Sequence, residues 1–173
     1  MATHRIPIVG WSARPDDTGE CFLEPYDILA TNDVWDRLVF RFGANNAAQP
    51  TIRHGFHGGF FVPKNYVGSA AIVVVWTATV TTGNCVWDFE YRAVGGNDTT
   101  SLDQAGTEES VTVTDTAPGA ANRRLEATAN LTAGNFSADE QVSYFFARDG
   151  ADANDTMAAS GILFELIFQY ADV

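Results

Sequence analysis

The stretch from Ala70 to Val94 constrains the fold more than any other part of the chain. It reads AAIVVVWTATV, then TTGN, then CVWDFEYRAV. With Gly83-Asn84 as a two-residue loop, Val80 faces Trp87, Ala78 faces Phe89, Trp76 faces Tyr91 and Val74 faces Ala93. The intervening pairs are Thr79 with Asp88, Thr77 with Glu90 and Val75 with Arg92. One apolar face and one mostly polar face is the pattern of an antiparallel sheet packed on a core. Glycine first in a two-residue loop suits a type II′ turn. A four-residue loop over 81–84 shifts the partners by two and leaves the faces unchanged.

Other segments repeat the alternation. Val34–Phe42 sets Leu38, Phe40 and Phe42 against Arg37 and Arg41. Residues 55–62 form a strand interrupted by glycines, which marks a bulge or a close backbone approach. Val111 and Val113 share a face, as do Leu125, Ala127, Ala129 and Leu131. Residues 142–148 alternate weakly, because Tyr144, Phe145 and Phe146 are contiguous. In the last strand Ile162, Phe164, Leu166, Phe168 and Tyr170 form one face, with Leu163 and Ile167 on the other beside Glu165 and Gln169. Apolar residues on both faces make this strand either central or covered by a partner.

These eight or nine short strands, punctuated by Gly, Pro, Asn and Asp, predict an all-β antiparallel β-sandwich, with a jelly roll preferred. The expected core contains Trp76, Phe89, Tyr91, Phe164, Leu166 and Phe168. A chain of 173 residues with 46% hydrophobic composition is enough for a single domain. Residues 34–173 make the sandwich. Residues 1–33 carry apolar side chains without a clean period. They form either a first strand near Ile6–Trp11 followed by a packed loop, or an extended arm that docks on another subunit.

Charge and motifs narrow the function. The net charge is −12, with Lys64 the one lysine beside nine arginines. Such a chain is repelled by phosphate backbones, which argues against nucleic acid as a partner. No stretch is apolar enough for a signal peptide or a membrane span, so the expectation is synthesis in a cytoplasm with no membrane partner. Cys21 and Cys85 cannot make a disulfide framework and are read as thiols, although one bridge is open to them. His54 and His57 have metal-ligand chemistry, but i and i+3 point to opposite faces of a strand. Asp149, Asp152, Asn154 and Asp155 crowd one loop without EF-hand spacing, and turn formation explains them locally. No nucleophile elbow, P-loop or dinucleotide fingerprint occurs. The expectation is therefore no enzyme, no cofactor and no metal site.

Four motifs then stand in order: Pro63-Lys64-Asn65-Tyr66-Val67-Gly68, Trp76-Thr77-Ala78, Gly83-Asn84-Cys85-Val86-Trp87, and Arg148 through Met157 (RDGADANDTM). In this order they resemble a family of small β-sandwich virion proteins of tailed bacteriophages. The resemblance covers about residues 60–170. It implies a structural component of the particle, assembled in the host bacterial cytoplasm and exposed on the virion surface. It also implies a homotrimer. Two roles compete. The preferred one is a head decoration or cement protein that binds across subunits of the major capsid protein. The alternative is a tail-fibre or receptor-binding module that recognises a host surface glycan. Trp11 and Trp35 suit either. In the cement reading Ile6, Ile8 and Trp11 contact the capsid, and Leu163 and Ile167 contact neighbouring subunits. Arg148, Asp149, Asp152 and Asp155 form a structural loop, with Arg148 pairing Asp149 or Asp155 and an aspartate accepting backbone N–H groups.

Overall fold

The computed structural model describes residues 1–9, 13–15, 21–26, 37–43, 49–96, 101, 103 and 106–172. Among the described residues eleven strands follow one another: β1 (Thr3–Pro7), β2 (Arg14–Pro15), β3 (Cys21–Tyr26), β4 (Arg37–Phe42), β5 (Arg53–Phe61), β6 (Gly68–Thr77), β7 (Asn84–Val94), β8 (Glu109–Thr116), β9 (Leu125–Asn130), β10 (Gln141–Asp149) and β11 (Gly161–Ala171). Sheet A has the order β3-β4-β11-β6-β9, with β1 also paired to β11, and sheet B the order β2-β5-β10-β7-β8. All pairs are antiparallel. The ladders β4·β11, β5·β10, β6·β9 and β7·β8 nest one inside the next. That nesting, wrapped over two sheets, is the jelly roll.

The aromatic core joins the sheets. Trp76 of β6 meets Trp87 of β7 edge to face at 5.5 Å, and Trp87 stacks on Phe146 of β10 at 5.5 Å. Phe40 of β4 stacks on Phe56 of β5 at 4.2 Å. Phe89, Tyr91, Leu166 and Phe168 are buried with them. Such contacts supply both apolar burial and ring–ring geometry.

The expected 70–94 hairpin does not form. β6 and β7 lie in different sheets, β6 bonded to β11 and β9, β7 to β10 and β8. The segment after Thr77 crosses from one sheet to the other. The apolar faces of the two strands are as expected, but they oppose each other across the core instead of sharing one side of a ribbon. Alternation reports which side chains are buried and is blind to this choice. The second face of β6 is not wet either: Val73, Val75 and Thr77 are all buried.

A bulge corrects the last strand. The β11 register to β6 shifts between Leu163 and Glu165. Leu163, Leu166, Phe168 and Tyr170 therefore point into the main core, while Ile162 and Phe164 join Tyr26 and Val39 in a small cluster on the outside of sheet A. Leu163, expected at a subunit contact, is 1% exposed, and Phe164, expected in the core, sits outside it. One extra residue in a strand reverses the facing of everything beyond it. β11 is central in its sheet, which accounts for its two apolar faces.

The N-terminal segment is built into the sandwich. β1 runs along β11 from Thr3↔Ala171 to Pro7↔Ile167, β2 pairs with β5, and β3 with β4. Ile8 is 3% exposed in the main core and Ile6 packs against it. Their lack of a clean period reflects a segment that visits both sheets, and the motive for an arm reaching outward is lost. Trp11 and Trp35 lie outside the described residues.

On sheet B the glycines of β5 permit close approach. A Cβ on Gly55 would lie 2.6 Å from the Phe145 ring, and one on Gly58 2.3 Å from the Tyr144 hydroxyl. Phe145 faces outward beside Arg53 and His57, at 4.9 and 4.8 Å.

Two substitutions test the core. Trp76→Ala should cost about 3–5 kcal/mol in urea unfolding. Leu163→Asp places an unpaired carboxylate in the core and should abolish cooperative unfolding at neutral pH; a folded Leu163→Asp chain that differs only in oligomeric state would refute its placement.

Candidate functional site

The sequence motifs turn out to meet one another as scaffold. Arg148 is fully buried. Its Nε and Nη2 donate to Asp155 Oδ2 and Oδ1 at 2.8 and 2.7 Å, and Nη1 and Nη2 donate to the carbonyls of Ala159 and Met157 at 2.5 and 2.6 Å. Asp155 Oδ2 also accepts from the Val86 amide at 3.0 Å, and Oδ1 from Gln49 Nε2 at 3.0 Å. The Thr156 and Met157 amides both donate to Asn84 O at 2.9 Å. Gly83, at φ +92°, leaves no room for a side chain, since a Cβ would sit 2.6 Å from Met157 Cα. Asp149 and Asp152 cap their own turns by accepting from the Ala151 and Asn154 amides. Asn65 accepts from the Tyr170 hydroxyl at 3.0 Å, and the Val67 amide donates to Ala171 O.

The residues with metal-ligand chemistry do not converge. His54 is buried and His57 exposed on the opposite face of an unbulged β5. Among the described residues no three His, Cys, Asp or Glu side chains form a metal-binding group. Cys21 and Cys85 are both buried and are not joined in a disulfide, and burial drives the Cys85 pKa well up.

The outer face of sheet A is different. A groove of about 400 Å³ lies there, lined by Val75, Ile167, Phe164, Asn122, Arg124 and Glu165. Each element contributes for a local reason. The β11 bulge sets Phe164 and Glu165 next to each other on the outside. Val75 and Ile167 supply an apolar floor from β6 and β11. Asn122 comes from the turn before β9 and holds φ +64°, a left-handed conformation that asparagine tolerates better than most residues. That turn is tied down: the Asn122 amide donates to Ala78 O at 2.9 Å, and Thr77 Oγ1 to Arg123 O at 2.7 Å. Tyr26 donates its hydroxyl to Asn122 Oδ1 at 2.7 Å, which leaves the amide nitrogen as the donor Asn122 can offer. Burial raises the Tyr26 pKa, with Arg41 acting against it, so the hydroxyl stays a donor.

Beside the groove runs a charged strap. Arg5 of β1 donates to both Glu126 oxygens, at 3.2 and 3.0 Å, and through Nε to Gln169 at 2.9 Å. Arg124 also donates to Glu126. Partial burial acts to raise the Glu126 pKa, but bonds from Arg5 and Arg124 outweigh it and hold the carboxyl below the ordinary 4.5. Asn122 and Arg124 had no distinguishing signal in the sequence, where they sit in a turn and at a strand start. A second hollow of about 460 Å³, lined by Tyr66, Val67, Phe136 and small residues, offers no charged side chain. The Tyr66 hydroxyl there already donates to Ala133 O.

Two predictions follow from these geometries. Arg148→Ala leaves Asp155 buried and unpaired, and should cost about 3–5 kcal/mol, with Arg148→Met/Asp155→Leu milder. The second concerns acid. The Ala2 amide and His4 hold the Asp172 carboxyl below its usual 3.8, and Glu126 is held low by its arginines. Both folded pKa values are depressed, so the stabilisation is complete above the ordinary values and is lost as pH falls through the folded ones. Amide protection factors in β1 should drop on acidification below about 3.8 while those of β7 and β10 hold; equal loss in all three would refute it.

No protein-family model and no curated protein matches the sequence. Solved structures show similarity over most of the chain. The native family 35 carbohydrate-binding module from Clostridium thermocellum is similar over 95% of this chain and 97% of its own, at 13% identity and a TM-score of 0.49. The arabinose-bound α-L-arabinofuranosidase MgGH51 matches 95% of this chain, at 10% identity and a TM-score of 0.49, but the match spans only 24% of that enzyme. The enzymatically active domain of tailspike protein 4 from bacteriophage CBA120 matches 91% of this chain and 19% of its own length, at 10% identity and a TM-score of 0.47.

Proposed function

We propose that the chain is a non-catalytic binding module that takes a glycan in the groove on the outer face of sheet A. The observation behind this reading is the groove itself: an aromatic ring at a bulge, an apolar floor, and Asn122, Arg124 and Glu165 around them. Sugars offer an apolar C–H face and a rim of hydroxyls, so a site for them combines ring stacking with a few fixed donors and acceptors. The ties on the Asn122 turn keep those groups ordered before binding, which lowers the entropy lost on association. A catalytic role lacks comparable support: Asp88 and Glu90 are held by Arg53, Glu126 by Arg5 and Arg124, and Asp155 by Arg148.

The setting proposed is the surface of a tailed-phage particle, where such a module recognises a host glycan. The order of the four motifs supports that setting. Between the two virion roles, the glycan reader is favoured over the capsid cement. The cement reading drew on an N-terminal arm, and β1 to β3 are laddered into the sheets. It also drew on Leu163, which is in the core.

The test is binding of the folded protein to a glycan array, followed by Phe164→Ala. Truncating an aromatic anchor should weaken binding roughly tenfold or more, about 1.4 kcal/mol, in a chain that still unfolds cooperatively, at a lower midpoint because the contact with Tyr26 is lost. Binding that survives Phe164→Ala at full strength would place the ligand elsewhere.

A further inference from the structure

We infer that the groove selects neutral glycans and discriminates against uronate- or sialate-bearing ones; this rests on the glycan reading above. The basis is the charge pattern of the outer face of sheet A. Arg124 and Glu165 line the groove, and Arg5 and Glu126 adjoin it, so two cations meet two anions. Further along the same face Arg41 pairs with Glu24. Arg5 and Arg124, which flank the groove, both already donate to Glu126, and Arg5 is also engaged by Gln169.

A ligand carboxylate is recognised best by a guanidinium that presents its fork. Here Arg5 is engaged at Nε by Gln169 and at Nη1 by Glu126, and Arg124, which gives Glu126 one nitrogen, already has its charge matched by that carboxylate. A ligand carboxylate would also approach a chain of net charge −12, whose field opposes anions at any distance the salt does not screen. A neutral sugar meets neither cost. It needs an apolar surface, to which Phe164 and Ile167 contribute, and a hydroxyl partner, which the Asn122 amide nitrogen provides. The depressed Glu126 pKa keeps that residue ionised throughout the neutral range, so the arginines stay matched.

The experiment uses the full chain and a panel of immobilised neutral polysaccharides (dextran, mannan, galactan, xylan) and anionic ones (alginate, polygalacturonate, polysialic acid). The expected result is binding confined to neutral members, unaffected by added salt and weakened roughly tenfold or more by Phe164→Ala. Glu126→Gln removes the carboxylate charge that matches Arg5 and Arg124 and should add binding to the uronate polymers that salt suppresses. If the wild-type chain binds an anionic member as tightly as any neutral one, and Phe164→Ala weakens it, the neutral selectivity is wrong while the groove stands as the glycan site. If no member binds, or Phe164→Ala changes nothing, the glycan reading falls and the selectivity with it.

Discussion

One buried cation ties this sandwich together. Arg148 sits in the dry interior at the end of β10 with each guanidinium nitrogen engaged, by Asp155 and by the carbonyls of Ala159 and Met157. Through Asp155 the same network reaches the Val86 amide on β7 and Gln49 ahead of β5. The chain between β10 and β11 would otherwise bring a row of unpaired backbone groups to the core. A charge in that position costs far more than a neutral group unless it is fully bonded. Meeting that condition fixes the path of the 149–160 segment. It thereby ties down the chain where it enters β11 at Gly161.

How much of this was legible in the sequence divides along physical lines. Burial by face was legible almost throughout, because a period of two survives any choice of strand partner. Leu125, Ala127, Ala129 and Leu131 share a face as expected, and Trp76 and Phe89 are in the core. Partnership was not legible for β6 and β7. Their apolar faces fit a hairpin and a sheet-to-sheet crossover equally well, and the arbitration comes from β9, β10 and β11, residues far along the chain. The bulge at Leu163–Glu165 was not legible either, and it reversed the facing of Leu163 and Phe164. A run such as ILFELIF satisfies alternation in two ways, and only the neighbours on each side decide between them.

The groove was the least legible part. Phe164 owes its place to the bulge, Asn122 to a left-handed turn bonded to Ala78, and Arg124 to a carboxylate that it shares with a strand from the other end of the chain. None of these three conditions has a local signature. By contrast the RDGADANDTM loop and the Gly83-Asn84 turn had conspicuous residues, and they prove to be two halves of one structural contact. Conspicuous polar residues here mark scaffold, and plain ones mark the candidate site.

The nested ladders have a kinetic meaning. Of the four, β7·β8 joins strands adjacent in sequence, whereas β4·β11 joins residues near position 40 to residues near 162. Each ladder outward from the tip closes a longer loop, and closure entropy must be met before the contacts stabilise it. Loop closure by itself therefore favours condensation from the middle outward, with β7 and β8 pairing first and the β1 and β4 ladders to β11 last. The groove face, assembled from β6, β9 and β11, is among the late surfaces to form. Before the outer ladders close, Trp76, Trp87 and the aromatic residues of β10 lack part of their cover, and the net charge of −12 opposes the association of such incompletely folded chains.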